Sequence, residues 1–183
     1  GIITQSNESY EGEVTDTQAF FNSRVDGILV SVARNTQNYD HFGRLIQRNM
    51  PLVFFDRVIE GINASKVIVD DEQGAYEATQ HLIEQGYKRI AHLAGPQTVI
   101  ISQNRLNGYK AAIADNKYMI DDRIIKICGL GTYEEAEAIA GELLDSKLPP
   151  DAIFANNDVA AYGAMKAIKS RKLRIPEDVA IVG

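Results

Sequence analysis

The sequence predicts an α/β protein built on mainly parallel sheets, and three observations predict it. Short apolar runs recur along the chain, β-branched and continuous rather than alternating, as in strands buried on both faces. Stretches with helical spacing separate them. Turn residues mark the seams: in NMPLVFF, SKLPPDAIFA and LRIPEDVAIVG a Pro or charged residue leads from a helix end into a strand. Strand alternating with helix implies βαβ units, and those require parallel pairing.

The elements follow in order. Strands are expected at residues 2–4, 27–32, 51–56, 66–69, 89–93, 124–128, 152–155 and 179–182. Helices are expected at 14–22, 39–48, 72–85, 103–116, 133–145 and 159–171. In the third helix Ala75, Ala78, Leu82 and Ile83 share one face, and Gly86 follows as a C-terminal stop. Asp71 and Asp158 each precede a helical pattern and are expected to be N-caps. In GPQTVIISQNRLNGYKAA, Val99, Ile100 and Ile101 are expected in a loop, with Arg105 near the start of the helix after it.

Composition narrows the function. The 183 residues suffice for one large domain or two small lobes. A hydrophobic fraction of 45% and a charged fraction of 24% are ordinary for a globular protein. No apolar run approaches the roughly 18 residues that a membrane helix needs. The net charge of −6 argues against a free-standing nucleic-acid binder. The one cysteine, Cys128, cannot form an internal disulfide, and in the run IIKIC it reads as a small core residue. The chain begins inside a strand-like run without an initiator Met, as a fragment or trimmed chain would.

Ligands of open parallel sheets bind beyond the carboxyl ends of the strands. There the chain places Arg34-Asn35, Asp56-Arg57, Asp70-Asp71, Gly95-Pro96, Gly129-Leu130-Gly131 and Asn156-Asn157-Asp158. Carboxylates accept paired hydrogen bonds from adjacent hydroxyls, and Arg donates through a rigid fork, so the set suits a polyhydroxylated small molecule. On spacing alone Asp158 is a cap, a ligand contact or both. Asp56 is a ligand contact or half of a local ion pair, and Arg105 is a ligand contact or a surface residue. GLG at 129–131 lacks the third glycine of a dinucleotide fingerprint, and no GxxxxGK[ST] occurs. His41, His81 and His92 have no metal-ligand spacing, and packing is the expected role for His81 and His92. No nucleophilic triad pattern stands out, so no enzyme, metal or cofactor is expected.

The stretches SRVDGILVS, NMPLVFFDR, VIVDDEQGAYEATQHLIEQGYKRIAHLAGP, NRLNGYKAAI, PDAIFANNDVAAYGAMKAI and LRIPEDVAIVG span nearly the whole chain in order. Together they resemble the effector-binding core of the lactose-repressor/galactose-repressor (LacI/GalR) family of bacterial transcription regulators. The resemblance implies a two-lobed periplasmic-binding-protein-like (type I) α/β fold, each lobe a mainly parallel sheet flanked by helices, with a small-molecule effector in the cleft between lobes. Residues 1–69 would form an incomplete N-lobe lacking the family's first strand-and-helix unit, and 70–183 the C-lobe. The N-lobe would then carry open ladder edges and unfilled core.

The resemblance further implies a cytoplasmic homodimer that reads operator DNA through a helix-turn-helix module not present in this chain. Arg105 matches the arginine of the family's R-L-x-G-[FYW] motif, which grips the effector. Asp158 matches the aspartate of its A-N-D motif, beside Asn157, and accepts hydrogen bonds from the effector. Asp56 and Arg57 match a cleft-lining segment. Leu130 stands where an aromatic residue often stacks on the ligand, and Val99 and Ile101 where some members carry polar contacts. These departures imply an effector with an apolar face, or a loop packed on the other lobe. The function expected is effector sensing, with a sugar or sugar derivative as the effector. A periplasmic sugar-binding transport component is the alternative.

Overall fold

The computed structural model describes residues 1–183, which form two compact units, Gly1–Val69 and Asp70–Gly183. The N-terminal unit contains α1 (Tyr10–Asn22), β1 (Ile28–Val30), α2 (Asp40–Gln47), β2 (Leu52–Phe55) and β3 (Ser65–Val67). Its three strands are parallel, in the order β1-β2-β3. Ile28, Val30, Leu52 and Phe54 turn one face of this sheet toward Phe20 and Phe21 of α1 and Phe42 and Leu45 of α2. The opposite face is bare: Leu29 is 73% exposed, and Phe55 and Val67 are exposed as well. Here the expectation of strands buried on both faces fails, because helices cover only one side of these three strands.

Residues 2–4 form no strand, contrary to expectation. A strand exists only through a ladder partner, and none is in register with them. Between residues 1–8 and β1 lies a cavity of about 860 Å3, also lined by Phe20, Val25, Phe55 and Arg57. The first helix begins earlier than its apolar pattern, at Tyr10, because Ser9 caps it by accepting from the Gly12 N–H at 3.2 Å.

The C-terminal unit contains α3 (Asp71–Glu84), β4 (Ile90–Ala94), α4 (Ile100–Asp115), a 3-10 turn at Asp122–Ile124, β5 (Ile125–Ile127), α5 (Tyr133–Leu144), β6 (Ala152–Ala155), α6 (Asp158–Ser170) and β7 (Ala180–Val182). Its four strands are parallel in the order β5-β4-β6-β7. Successive strand residues serve opposite faces. Ile90, Ala152 and Phe154 pack under Leu82 of α3 and Tyr109 and Ile113 of α4. Ala91, Leu93, Ile153 and Ala155 pack under Ala136 and Ala140 of α5 and Ala164 and Ile168 of α6. This is a three-layer sandwich with a core on each side of the sheet.

Small residues let the helices on each face approach closely. A Cβ on Gly108 of α4 would overlap the Glu72 carbonyl of α3 and lie 2.8 Å from the Tyr76 nitrogen. A Cβ on Gly163 of α6 would overlap the Tyr133 carbonyl at the start of α5 and lie 2.9 Å from Ala136 Cβ. Cys128 is buried as expected, and burial, with the Glu135 carboxylate, pushes its thiol up to about 11. His92 is buried and stacked between aromatic rings, whereas His81 is exposed on α3. No helix is long and apolar enough to cross a membrane.

Candidate functional site

In the C-terminal unit the chain leaves β4 toward one face of the sheet and β6 toward the other. These adjacent strands therefore open a crevice at their carboxyl ends, where open α/β sheets bind ligands. Gly95 and the 95–99 turn line one side, and Asn156, Asn157 and Asp158 the other. Gly95 leaves room for both side chains: a Cβ would meet Asn156 Nδ2 at 2.6 Å and overlap the Ser102 hydroxyl.

Arg105 enters the crevice from α4. Its Nε donates to Asp71 Oδ1 at 2.8 Å, its Nη2 lies 2.7 Å from the same oxygen, and its Nη1 donates to the Asn156 carbonyl. The structure thus joins Arg105 to Asp71 and Asn156, residues that sequence reasoning did not connect to it. Asn156 itself is 8% exposed, and its Oδ1 has no donor.

Both expected caps shift by one residue. Asp70, not Asp71, caps α3, accepting from the Gln73 N–H at 3.0 Å. That frees the Asp71 carboxylate, on the first residue of the helix, for Arg105. Asn157, not Asp158, caps α6, accepting from the Ala160 N–H at 2.9 Å. Asp158 is the first residue of α6, exposed, and its carboxylate makes no hydrogen bond or ion pair within the protein. The favourable N-terminal helix dipole still stabilises its charge there.

The expected apolar loop before Arg105 is a helix start. α4 begins at Ile100, with Val99 at the N-cap position and no side-chain cap. Without a polar cap residue the local start signal is missing, which is why the pattern reads as beginning later. Val99 and Ile101 are half-buried, and Arg105 lies in the second turn. Leu130, in the turn after β5, is 70% exposed. Glu135 pins that turn by accepting from the Leu130 and Gly131 N–H groups at 2.9 and 3.0 Å.

The carboxyl end of the N-terminal unit's sheet holds Asp56 and Arg57. Asp56 has a left-handed backbone (φ 57°), a conformation Asp tolerates better than most residues, and accepts from the Ser31 hydroxyl at 3.3 Å. Arg57 is committed to a bidentate pair with Glu8, at 2.9 and 3.0 Å. Burial pushes the Glu8 carboxyl up. The Arg57 hydrogen bonds and charge, with the Arg34 N–H, reverse this and hold it below its ordinary value. Beneath lies buried Glu13, which accepts from the Ala33 N–H (2.6 Å) and the Thr36 hydroxyl (2.8 Å), with His41 Nε2 at 3.0 Å. Sequence reasoning missed Glu8 and Glu13; no local pattern marks acids that pair with loops twenty or more residues away.

The family model for periplasmic binding proteins and the sugar binding domain of the LacI family matches residues 4–182. The chain belongs to this family. It is 32% identical over 184 residues to the HTH-type transcriptional repressor PurR of Vibrio atlanticus, covering 100% of this chain and 54% of that protein. It is 32% identical over 182 residues to the ribose operon repressor of Halalkalibacterium halodurans, covering 100% of this chain and 52% of that protein. Among solved structures, a complex of the transcriptional regulator CelR with cellobiose superposes with a TM-score of 0.81 at 31% identity, over 96% of this chain and 53% of that one. A LacI-family regulatory protein from Chloroflexus aggregans superposes with a TM-score of 0.82 at 30% identity, over 99% of this chain and 63% of that one. The chain spans about half the length of these curated relatives. LacI-family membership accounts for the parallel sheets and the type I periplasmic-binding-protein-like architecture.

Proposed function

We propose that this chain is the effector-sensing domain of a bacterial transcription regulator. It binds a neutral or weakly charged small molecule, a sugar or sugar derivative, and performs no chemistry on it. The observation that carries this reading is that Arg105 is fixed on the Asn156 carbonyl, two residues before the unengaged acceptor Asp158. Together they offer hydroxyl groups both halves of a hydrogen-bonding set and present no nucleophile to attack with. Leu130, Val99 and Ile101 add apolar surface that suits a deoxygenated or ring face of the ligand. Asn157, engaged as a cap, positions Asp158. In the N-terminal unit, Asp56 remains open to a ligand, while Arg57 serves chiefly to hold Glu8.

The names of the relatives support repression of transcription over solute transport, and the cellobiose of the CelR complex supports a carbohydrate. On this reading the protein works in the cytoplasm as a homodimer and meets operator DNA through a module outside these residues. The effector shifts DNA affinity only by its differential affinity for two arrangements of the units.

A thermal-shift screen over sugars and nucleobases identifies the effector, since a bound ligand raises apparent stability by mass action. Replacing Asp158 with Ala then weakens its binding about 10-fold or more, because a hydrogen bond to a charged group contributes about 1.5–3 kcal/mol. Asn157 retains the cap, so the melting temperature of the unliganded variant stays close to that of the parent. Unchanged affinity in Asp158→Ala would sink the assignment of this residue.

A further inference from the structure

We infer that Asp71 sets the charge selectivity of the crevice, making it a site for uncharged hydroxylated ligands that rejects phosphorylated or carboxylated ones. The inference rests on the proposed effector role for the same crevice. A free guanidinium is the best side chain for capturing phosphate or carboxylate, through two parallel N–H bonds and an uncompensated charge. In Arg105 the charge is already compensated by Asp71. Asp71 Oδ1 takes its Nε–H and lies 2.7 Å from Nη2 in the ion pair, and the Asn156 carbonyl takes one Nη1–H. Of the five N–H donors in a guanidinium, Asp71 and Asn156 engage two. The Asp71 side chain is only 8% exposed, so water does little to screen its compensation of the arginine.

The surroundings deepen the bias. The segments 95–99, 128–132, 156–158 and 70–73 contain no Lys or Arg, yet they bring Asp70, Asp71, Glu72 and Asp158. Arg105 is therefore the lone cation among these carboxylates. Asp158 makes no ion pair, and buried Asn156 Oδ1 has no donor. A ligand that donates hydrogen bonds as well as accepting them satisfies this set. An anion adds repulsion from Asp158, and the guanidinium it would meet is already paired with Asp71. Asp71 does not touch the ligand in this scheme; it acts by orienting and neutralising Arg105 and is a positioning residue.

The test uses inorganic sulfate as the probe, titrated at constant ionic strength and followed by NMR at the Arg105 Nε–H and the Asn157 and Asp158 amides. The parent chain is expected to show no saturable sulfate response. Asp71→Asn and Asp71→Ser, each confirmed folded by circular dichroism, are expected to bind sulfate at least about 10-fold more tightly than the parent, a gain that loss of a merely structural contact would not produce. Adding Arg105→Gln is expected to abolish the gain. Saturable sulfate binding by the parent at Arg105, or no gain in either Asp71 variant, overturns the inference. So does a sugar phosphate that raises the parent's melting temperature more than the neutral sugar does. The sulfate result is independent of effector identity. If the sulfate switch appears while no sugar or nucleobase binds, the effector reading fails and the charge-selectivity inference stands.

Discussion

His92 should make the C-terminal unit acid-sensitive well above the range where its carboxylates protonate. It sits in the central strand β4, 0% exposed, with its ring between Phe154 (centroids 4.7 Å apart, planes at 9°) and Tyr109 (5.0 Å, 23°). Nδ1 lies 3.0 Å from the Phe154 carbonyl, to which it donates, and Nε2 is buried with no partner. A proton on Nε2 would thus be a charge in an apolar stack. Burial lowers the pKa from 6.5 to about 4, against a small opposing effect of the Phe154 hydrogen bond. Below pH 6.5 the unfolded chain binds a proton that the folded unit refuses, so stability is fully present above that pH and falls as pH drops toward 4. At about 1.4 kcal/mol per pKa unit, the interval between these two values caps the loss at about 3–4 kcal/mol.

Urea unfolding followed by circular dichroism from pH 7.5 to 4, for the parent and for His92→Phe, measures it. The variant keeps an aromatic ring in the stack and removes the titration. The stability difference between the two should shift in favour of the variant below pH 6.5, at up to about 1.4 kcal/mol per unit. Groups such as Asp178, held near 2 by its Arg174 partner, titrate lower and are common to both chains. Parallel pH curves, or an imidazole that titrates near 6.5 by NMR, would refute the reasoning.

Two further perturbations follow from the packing. Gly108→Ala and Gly163→Ala should each destabilise by about 1–3 kcal/mol despite the better helix propensity of Ala, because the new methyl meets backbone of the neighbouring helix. Gly74→Ala, in α3 with open space around it, is the control and should be neutral or stabilising by up to about 1 kcal/mol in the same urea assay. Glu13→Leu should strand the Ala33 N–H and the Thr36 hydroxyl, at about 1–3 kcal/mol each, and speed amide exchange at Ala33. Unchanged exchange at Ala33 would mean that the loop does not depend on this carboxylate.

Much of the architecture is legible in the sequence because it is written locally. Seven of the expected strands and all six helices appear, since continuous β-branched runs and helical spacing act within a window of a few residues. The exception, residues 2–4, carries the same apolar signature but has no ladder partner. The candidate site was legible at the level of its neighbourhood. The carboxyl-end rule placed Asp158, Asn157 and Leu130 at the ends or starts of the right elements, and the family motif singled out Arg105, but neither could state their contacts. Asp70 and Asp71 are chemically identical, as are the cap requirements at Asn157 and Asp158, so adjacent residues exchanged roles once the backbone geometry was known. Val99 hid a helix start because an apolar residue occupies the cap position.

By itself, the sequence determined which segments are strands and helices, their order, and hence parallel α/β construction. These follow from propensity and periodicity that each segment carries alone. Only the tertiary structure decided that β4 and β6 would be neighbours, and that adjacency places the Asn156 carbonyl under the Arg105 guanidinium. Packing of α3 against α4 then supplies Asp71 from 34 residues away. Whether a carboxylate caps a helix, neutralises an arginine or stands open to a ligand depends on which distant groups reach it, and strand order settles that.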